Sequence, residues 1–369
     1  MRDDFPGWYP KSPEEAAALW ENAIFVPDAN VLLHCLRHPA TVRDELLRVF
    51  EVLKDSIWIP YQVGLEFHRN RLDVEFGAQD AYDALLKDHL AVIEKARERL
   101  RQLRAHPVIS VEKELAALDM FASDFKGRME AARASHPTEQ IAVAVDRLTA
   151  LLVGRVGAKW TPERLTLLKK EGEARYAGKV PPGYMDAKKD GGEFDKFGDL
   201  IIWKDMIEKA KADQRPVIFI SDDAKEDWWW IHRGRKMGPR PELIEEFRVG
   251  SDQAFHLYEF SQFLRFAAQR HPEIEEGVNE VEKSLHDDER ARRRQSEAAV
   301  ARDSAARMRE LEDERDQIVG ALAGTPGPSS PLSNDRTELR RRLEVIDTEM
   351  TALNSLDQMT QPEGESESI

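Results

Sequence analysis

The segment Pro216-Val217-Ile218-Phe219-Ile220-Ser221 constrains this chain more than any other. Its four consecutive apolar residues enter through a proline and stop at Asp222-Asp223. The run is too short for a helix and lacks the alternation of a half-exposed strand. A strand of this kind is buried on both faces, as happens in a parallel sheet covered by helices on each side. Three further runs suit the same sheet: Ile24-Phe25-Val26 before Pro27-Asp28, Ile57-Trp58-Ile59 before Pro60, and Phe255–Phe260. A helix follows from about Tyr61 and another over 261–269, so strand and helix alternate. That alternation predicts an α/β fold with a central parallel sheet flanked by helices.

Two regions interrupt the rhythm. From about 75 to 190 the sequence reads as helices with almost no strand. Tyr82, Leu86, Leu90, Ile93, Leu100 and Leu103 trace one helical face; Leu115, Leu118, Phe121, Phe125 and Met129 trace another. Thr161-Pro162 predicts a capped helix start, with proline at its first position. The following loop, 179–193, is too rich in Pro, Gly and charge to be regular. Beyond residue 270 the composition shifts again. Ile274, Val278, Val281 and Leu285, and then Leu339, Leu343, Ile346, Met350 and Leu353, keep the alternating spacings of a coiled coil. The expected organisation is a domain over 1–270 with a helical insertion, a charged helix over 271–323, a flexible linker over 324–334, a helix over 335–356 opened by an Asp335/Glu338 capping box, and a disordered tail over 357–369.

Composition narrows the function classes. Of 369 residues, 41% are hydrophobic, which is enough for a core. No run approaches the roughly 18 apolar residues of a membrane span, and the first residues carry no apolar secretory segment. A soluble cytoplasmic protein is expected. The net charge is −15, with most of the acid excess beyond residue 270, which argues against an indiscriminate nucleic-acid coat but not against an enzyme with a local basic channel. The single cysteine, Cys35, excludes an internal disulfide framework and a Cys-rich zinc site; in its apolar surroundings it reads as a buried thiol. There is no phosphate-binding GxxxxGK[ST] loop and no glycine-rich dinucleotide turn. Asn30 stands where a phosphatase with an aspartyl nucleophile would want a second Asp.

Carboxylates lie where strands end or helices begin: Asp28 after the first strand, Glu66 in the helix after the second, Asp199 opening a helix, and Asp222 and Asp223 after the third strand. Strand carboxyl ends face the ligand crevice of an open parallel sheet. Carboxylates gathered there repel one another, and a divalent Mg²⁺ or Mn²⁺ ion removes that cost. Such a site activates water and stabilises the leaving oxygen of a phosphodiester. Each acid taken singly is equally an ordinary turn or cap residue.

Together, the segments PDANVLL, GLEFHR, GDLIIW and FISDD resemble the PIN-domain nucleases, and more closely the bacterial PIN-like subgroup with a helical insertion. The resemblance covers roughly residues 20–270 and is specific in its combination. It implies a PIN-like fold and Mg²⁺- or Mn²⁺-dependent phosphodiester hydrolysis, on RNA more readily than on single-stranded or structured DNA. Asp28, Asp199 and Asp223 would hold metal, with Glu66 as a further ligand or water-orienting base. Asn30 and Ser221 would orient those ligands. Asp223 is the fourth acid in this register, with its neighbour Asp222 able to take the role or assist. Such domains also serve in phage defence or as toxin-like RNases. The rival expectation is an inactive PIN-like scaffold that binds nucleic acid or a protein.

Basic and aromatic residues near these motifs are candidates for nucleic-acid contact: Arg69 and Arg71 beyond Glu66, Arg175, Lys179, Tyr184 and Lys188 around the Pro-Pro-Gly-Tyr loop, and Arg233 and Arg235 after the last acids. Each could equally belong to a solvated surface. Trp228, Trp229 and Trp230 cannot all face one groove, so packing is expected of them. Lys225 and Asp227 read as an ordinary helix-start pattern. The C-terminal helices offer a surface for self-association or a protein partner.

Overall fold

The computed structural model describes residues 1, 4–5, 7–103, 107–189, 192–323 and 336–360. The chain divides into two compact units, Met1–Glu282 and Lys283–Ile369.

The first unit is built on a three-stranded parallel sheet. Helix α1 (Pro13–Asn22) opens with a capping box between Ser12 and Glu15 and leads into strand β1 (Ile24–Pro27). Asp28 caps α2 (Ala29–Arg37), and α3 (Ala40–Val52) follows. Strand β2 (Val217–Ile220) lies between β1 and β5 (Phe255–Tyr258), and all its residues are buried. Ile24 pairs with Val217 and Val217 with Phe255, so the three strands run in register and end together. Trp20, Phe25, Phe263, Phe219, Trp203 and Phe247 fill the space between sheet and helices.

The expected strand at 57–60 is reduced to two isolated parallel bridges, Phe25 with Ile57 and Ile59 with Val156. Pro60 has no N–H to continue a ladder and instead opens α4 (Tyr61–Gln102). That helix leaves the sheet and enters the insertion with α5 (Val111–Ala134), α6 (Thr138–Leu152) and α7 (Pro162–Ala177). Ile93 of α4 and Ala122 of α5 are buried, and the ring of His89 stacks on Phe125 at 4.3 Å. Phe121, expected on the packed face, is exposed, and Ala122 beside it is buried instead. Thr161 accepts from the Arg164 N–H at the start of α7, as its sequence predicts.

The chain returns to the sheet through α8 (Gly198–Asp213) and β2. The next segment corrects the sequence reading. Residues 222–228 hold no helix, and β3 (Trp229–His232) and β4 (Arg235–Pro239) form an antiparallel hairpin. Its turn residues Arg233 and Gly234 take φ of 49° and 75°, the left-handed pair that suits a two-residue hairpin turn. The charges of Arg233–Lys236 hide these strands from a hydrophobic pattern. Helices α9 (Pro241–Ser251) and α10 (Phe260–Arg270) flank β5, and α11 (Glu275–Ala323) begins with Val278 and Val281 buried in the first unit.

In the second unit, α11 and α12 (Arg336–Thr360) pack as an antiparallel pair. Leu311 and Ile318 meet Leu339 and Ile346, and Arg307–Glu349 and Arg342–Glu314 pair across them at 2.8 and 2.7 Å. The helix runs through Thr360, beyond the end expected at 356. Asp335, the 324–334 segment and residues 361–369 lie outside the described residues, as does the side chain of Leu353.

Candidate active site

Because β1 and β2 are parallel and in register, their carboxyl ends bring Asp28 and Ser221–Asp223 side by side. The Asp28 N–H donates to Ile220 O at 2.9 Å, which continues the ladder one residue past the strand. Asp28 then turns into α2, and its Oδ1 accepts the Ala29 N–H at 2.7 Å. Its Oδ2 accepts from Ser221 Oγ at 2.8 Å, and the same hydroxyl accepts the Asp223 N–H at 3.1 Å. One serine thus ties the two strand ends together. Burial, with Glu66 and Asp223 as negative neighbours, raises the Asp28 carboxyl to about 7.

Asp199 arrives from α8, in whose first turn a carboxylate is favourably placed. Its Oδ2 accepts the Trp228 indole N–H at 3.3 Å. Burial pushes it well above the usual carboxylate range, and Asp28, Asp186 and Asp223 add to that push. Glu66 reaches in from α4, with Oε1 accepting from Gln62 at 2.7 Å, and burial raises it too. A Cβ at Gly198 would stand 2.7 Å from that Oε1, so the bare glycine leaves the Glu66 carboxylate its place against α8.

Asp222 turns away from these groups. Its Oδ2 lies 2.6 Å from His34 Nε2, and its Oδ1 accepts the Phe260 N–H at 3.2 Å. His34 in turn pairs with His38 at 3.1 Å. Neighbours along an extended backbone point in opposite directions, so Asp223 faces Asp28 while Asp222 braces α2 and α10.

Asp186, passed over in the sequence reading, and Lys225 and Asp227, read there as a helix-start pattern, all belong here. Asp186, in the 181–189 loop, enters the electrostatics of both Glu66 and Asp199. Lys225 places Nζ 3.0 Å from Asp223, 3.0 Å from Asp186 and 4.0 Å from Asp199. Asp227 is fully buried, and its Oδ2 accepts the N–H groups of Gly183 and Met185 at 2.9 and 3.1 Å. It thereby pins the loop that carries Asp186. The available signal was an acid among the lysines of Tyr-Met-Asp-Ala-Lys-Lys, a segment read for its bases alone.

Nine residues of this region lie within one chemical neighbourhood: Asp28, Glu66, Asp186, Asp199, Asp223 and Lys225, with Ser221, Trp228 and Gln62 as partners. Among the described residues, no three acids or imidazoles converge closely enough to cage an ion. The Lys225 ammonium stands among the carboxylates. The donors nevertheless suit a hard divalent cation, being carboxylate oxygens brought together from separate segments, with Asp28, Glu66 and Asp199 raised chiefly by burial. Asn30 Oδ1 is also buried and makes no hydrogen bond.

A family model for a PIN like domain matches residues 24–243, well over half of the chain. The chain belongs to the PIN-like domain family. The chain matches no curated protein and no solved structure. PIN-like domains are generally nucleases and bind nucleic acid. Among the described residues, no helix is long and apolar enough to cross a membrane.

The basic residues of this PIN-like domain fall into two groups. Arg175 is a brace: its guanidinium takes both Glu246 oxygens at 2.8 Å and also donates to Pro181 O, leaving it 12% exposed. That internal pairing corrects the expectation of a phosphate contact. Tyr184 is tied to Glu226 and Arg240, each at 3.2 Å. Arg69 pairs with Asp195 at 2.9 Å and its charge offsets part of the burial that raises Glu66, while Arg71 is half-buried. Lys179, Lys188, Arg233 and Arg235 are exposed. Trp228 and Trp229 are buried, as packing predicts, and the Trp229 indole donates to Asp223 O at 2.6 Å. Cys35 is buried, which pushes its thiol up to about 12.

Proposed function

We propose that this PIN-like domain is a divalent-metal-dependent endonuclease acting on RNA in preference to DNA. The observation that carries the reading is the gathering of Asp28 and Asp223, at the carboxyl ends of β1 and β2, with Asp199 from the first turn of α8, Asp28 and Asp199 both held toward protonation by burial and by other carboxylates. Carboxylates in that state are poised to release protons to a cation. Asp28, Asp199 and Asp223 would hold Mg²⁺ or Mn²⁺, with Glu66 and Asp186 at its edge. The metal supplies Lewis acidity for phosphodiester hydrolysis. Ser221 fixes Asp28 and Asp223 relative to each other, and Glu66, next to Arg69, orients the attacking water. Exposed Arg233, Arg235, Lys179 and Lys188, with Arg69, Arg71 and Tyr184, track the phosphate backbone.

The test is cleavage of end-labelled single-stranded RNA and DNA with Mn²⁺, Mg²⁺ or EDTA, with Asp28→Asn and Asp199→Asn beside the wild type. Metal-dependent cutting that both substitutions abolish is the expected result. Cutting in EDTA, or at full rate in both variants, would sink the reading.

One observation favours a second reading, a non-catalytic scaffold: Lys225 already offsets part of the charge of three of the acids. Nucleic-acid binding without turnover in any metal would support it. In either case the α11–α12 pair is proposed as the surface for self-association or a protein partner, and the setting as a cytoplasmic defence or toxin-like role.

A further inference from the structure

We infer that Lys225 is the resident counter-ion of the acidic site and that a divalent cation enters by displacing its ammonium. The inference rests on the metal-site reading above and concerns how this chain controls that site.

The carboxylates around Lys225 come from three separate segments: Asp186 from the 181–189 loop, Asp199 from α8, and Asp223 from the end of β2. Nζ contacts both Asp186 oxygens, at 3.0 and 3.1 Å, and Asp223 Oδ2 at 3.0 Å. Asp199 Oδ2 is 4.0 Å away. The ammonium therefore stands where these chain segments present their negative charge to one another. The backbone holds it there, since the Lys225 N–H donates to Asp223 Oδ1 at 2.9 Å.

Two features make this an exchangeable cation and not a permanent pair. The Lys225 ammonium faces three carboxylates, with exposed Lys189 3.8 Å from Asp186 at their edge, and Asp28 and Glu66 are two further acids nearby, so the neutralisation is partial. The Lys225 side chain is also 34% exposed, against 20% for Asp199 and Asp223 and 18% for Asp186. Its flexible stem thus lies on the solvent side of the acids and has an exit. A divalent ion bound to Asp199 and Asp223 could not share their oxygens with an ammonium, because like charges that close repel strongly. Displacement follows. The same geometry accounts for acids that gather without caging an ion.

The test is calorimetric titration of the full chain with Mn²⁺ alone, comparing wild type, Lys225→Met and Lys189→Met. Lys189 is the control, an exposed lysine 3.8 Å from Asp186 at the edge of the cluster. A lysine that fills the site nine-tenths of the time weakens apparent affinity about tenfold, so Lys225→Met is expected to bind Mn²⁺ about tenfold tighter. It should also melt lower than wild type without metal and gain more from Mn²⁺. Unchanged or weaker Mn²⁺ binding by Lys225→Met would overturn the displacement, as would equal tightening by Lys189→Met. The metal reading would survive either result. Absence of Mn²⁺ binding in all three proteins would overturn both.

Should Lys225→Met fail to fold without metal, wild-type protein decides the matter. Amine acylation read by mass spectrometry should modify Lys225 slowly in EDTA and faster with Mn²⁺. Labelling that stays the same or falls on adding Mn²⁺ would overturn the proposal.

Discussion

Ser221 Oγ donates to Asp28 Oδ2 at 2.8 Å, across 193 residues of sequence, and the bond closes the gap between the ends of β1 and β2. The same oxygen accepts the Asp223 N–H. Two of the three acids proposed to hold metal are therefore set by one hydroxyl. Ser221→Ala should lower cleavage about 10- to 100-fold, the usual cost of losing a group that orients ligands. Mn²⁺ affinity should fall in parallel, while the circular dichroism spectrum stays unchanged. Wild-type cleavage by the variant would remove Ser221 from the site.

Gly198 predicts a steric effect. An alanine Cβ would press on Glu66 Oε1 at 2.7 Å, the far end of a flexible side chain that can swing aside. Gly198→Ala should reduce cleavage by displacing the Glu66 carboxylate while changing urea unfolding by less than about 1 kcal/mol, since Gly198 already holds helical angles. Pairing it with Glu66→Ala tests the cause: with Glu66 already gone, Gly198→Ala should cost no further activity.

Asp227 predicts a loop effect. With its carboxylate removed, the Gly183 and Met185 N–H groups lose their acceptor, at a cost of about 1–3 kcal/mol. Asp227→Ala should accelerate amide hydrogen exchange over 181–189 more than elsewhere. Exchange unchanged in that segment would show that the loop holds itself.

A pH effect comes from Asp205, well away from the acids of the site. Its Oδ1 accepts the Trp160 indole N–H at 2.6 Å, but Oδ2 is buried without a partner, and burial raises the carboxyl to about 6. The folded state thus keeps a proton that the unfolded chain gives up near pH 4. Between those values the unfolded state binds fewer protons, so stability falls as pH rises from about 4 to about 6 and then levels off. The contribution is about 1–3 kcal/mol. Asp205→Asn, which keeps an acceptor for Trp160, should flatten that part of the urea-midpoint profile. A profile identical to wild type would exclude Asp205 as its source.

The two kinds of arginine separate in solution. Arg233→Ala with Arg235→Ala should weaken RNA binding most at low salt and reduce the salt slope by about 2, with the melting temperature unchanged. Arg175→Ala should do the reverse. It takes the bidentate partner from half-buried Glu246, which keeps Lys204 and Trp203, at a loss of about 1–3 kcal/mol, and changes the salt slope little. Filter binding at several salt concentrations, beside thermal melts, reads both.

Much of the fold is local chemistry and so was legible before any coordinates. Residues 217–220 are apolar throughout and can only be a covered parallel strand. Thr161-Pro162 starts a helix for reasons confined to one turn. Asp28, Asp199 and Asp223 stood out because each follows or opens an element, and parallel strands bring such ends together. The sequence could not assign the pair Asp222 and Asp223, since adjacent residues share every local cue. The extended backbone beyond β2 alternates them, aiming one at Asp28 and the other at His34. The β3–β4 hairpin was hidden because its strands pair through backbone groups, which leave no hydrophobic period in a charged segment. Lys225 and Asp186 lie 39 residues apart and mean nothing singly. Only the tertiary structure sets an ammonium among carboxylates from three segments, because charge acts through space and a sequence records only order along the chain.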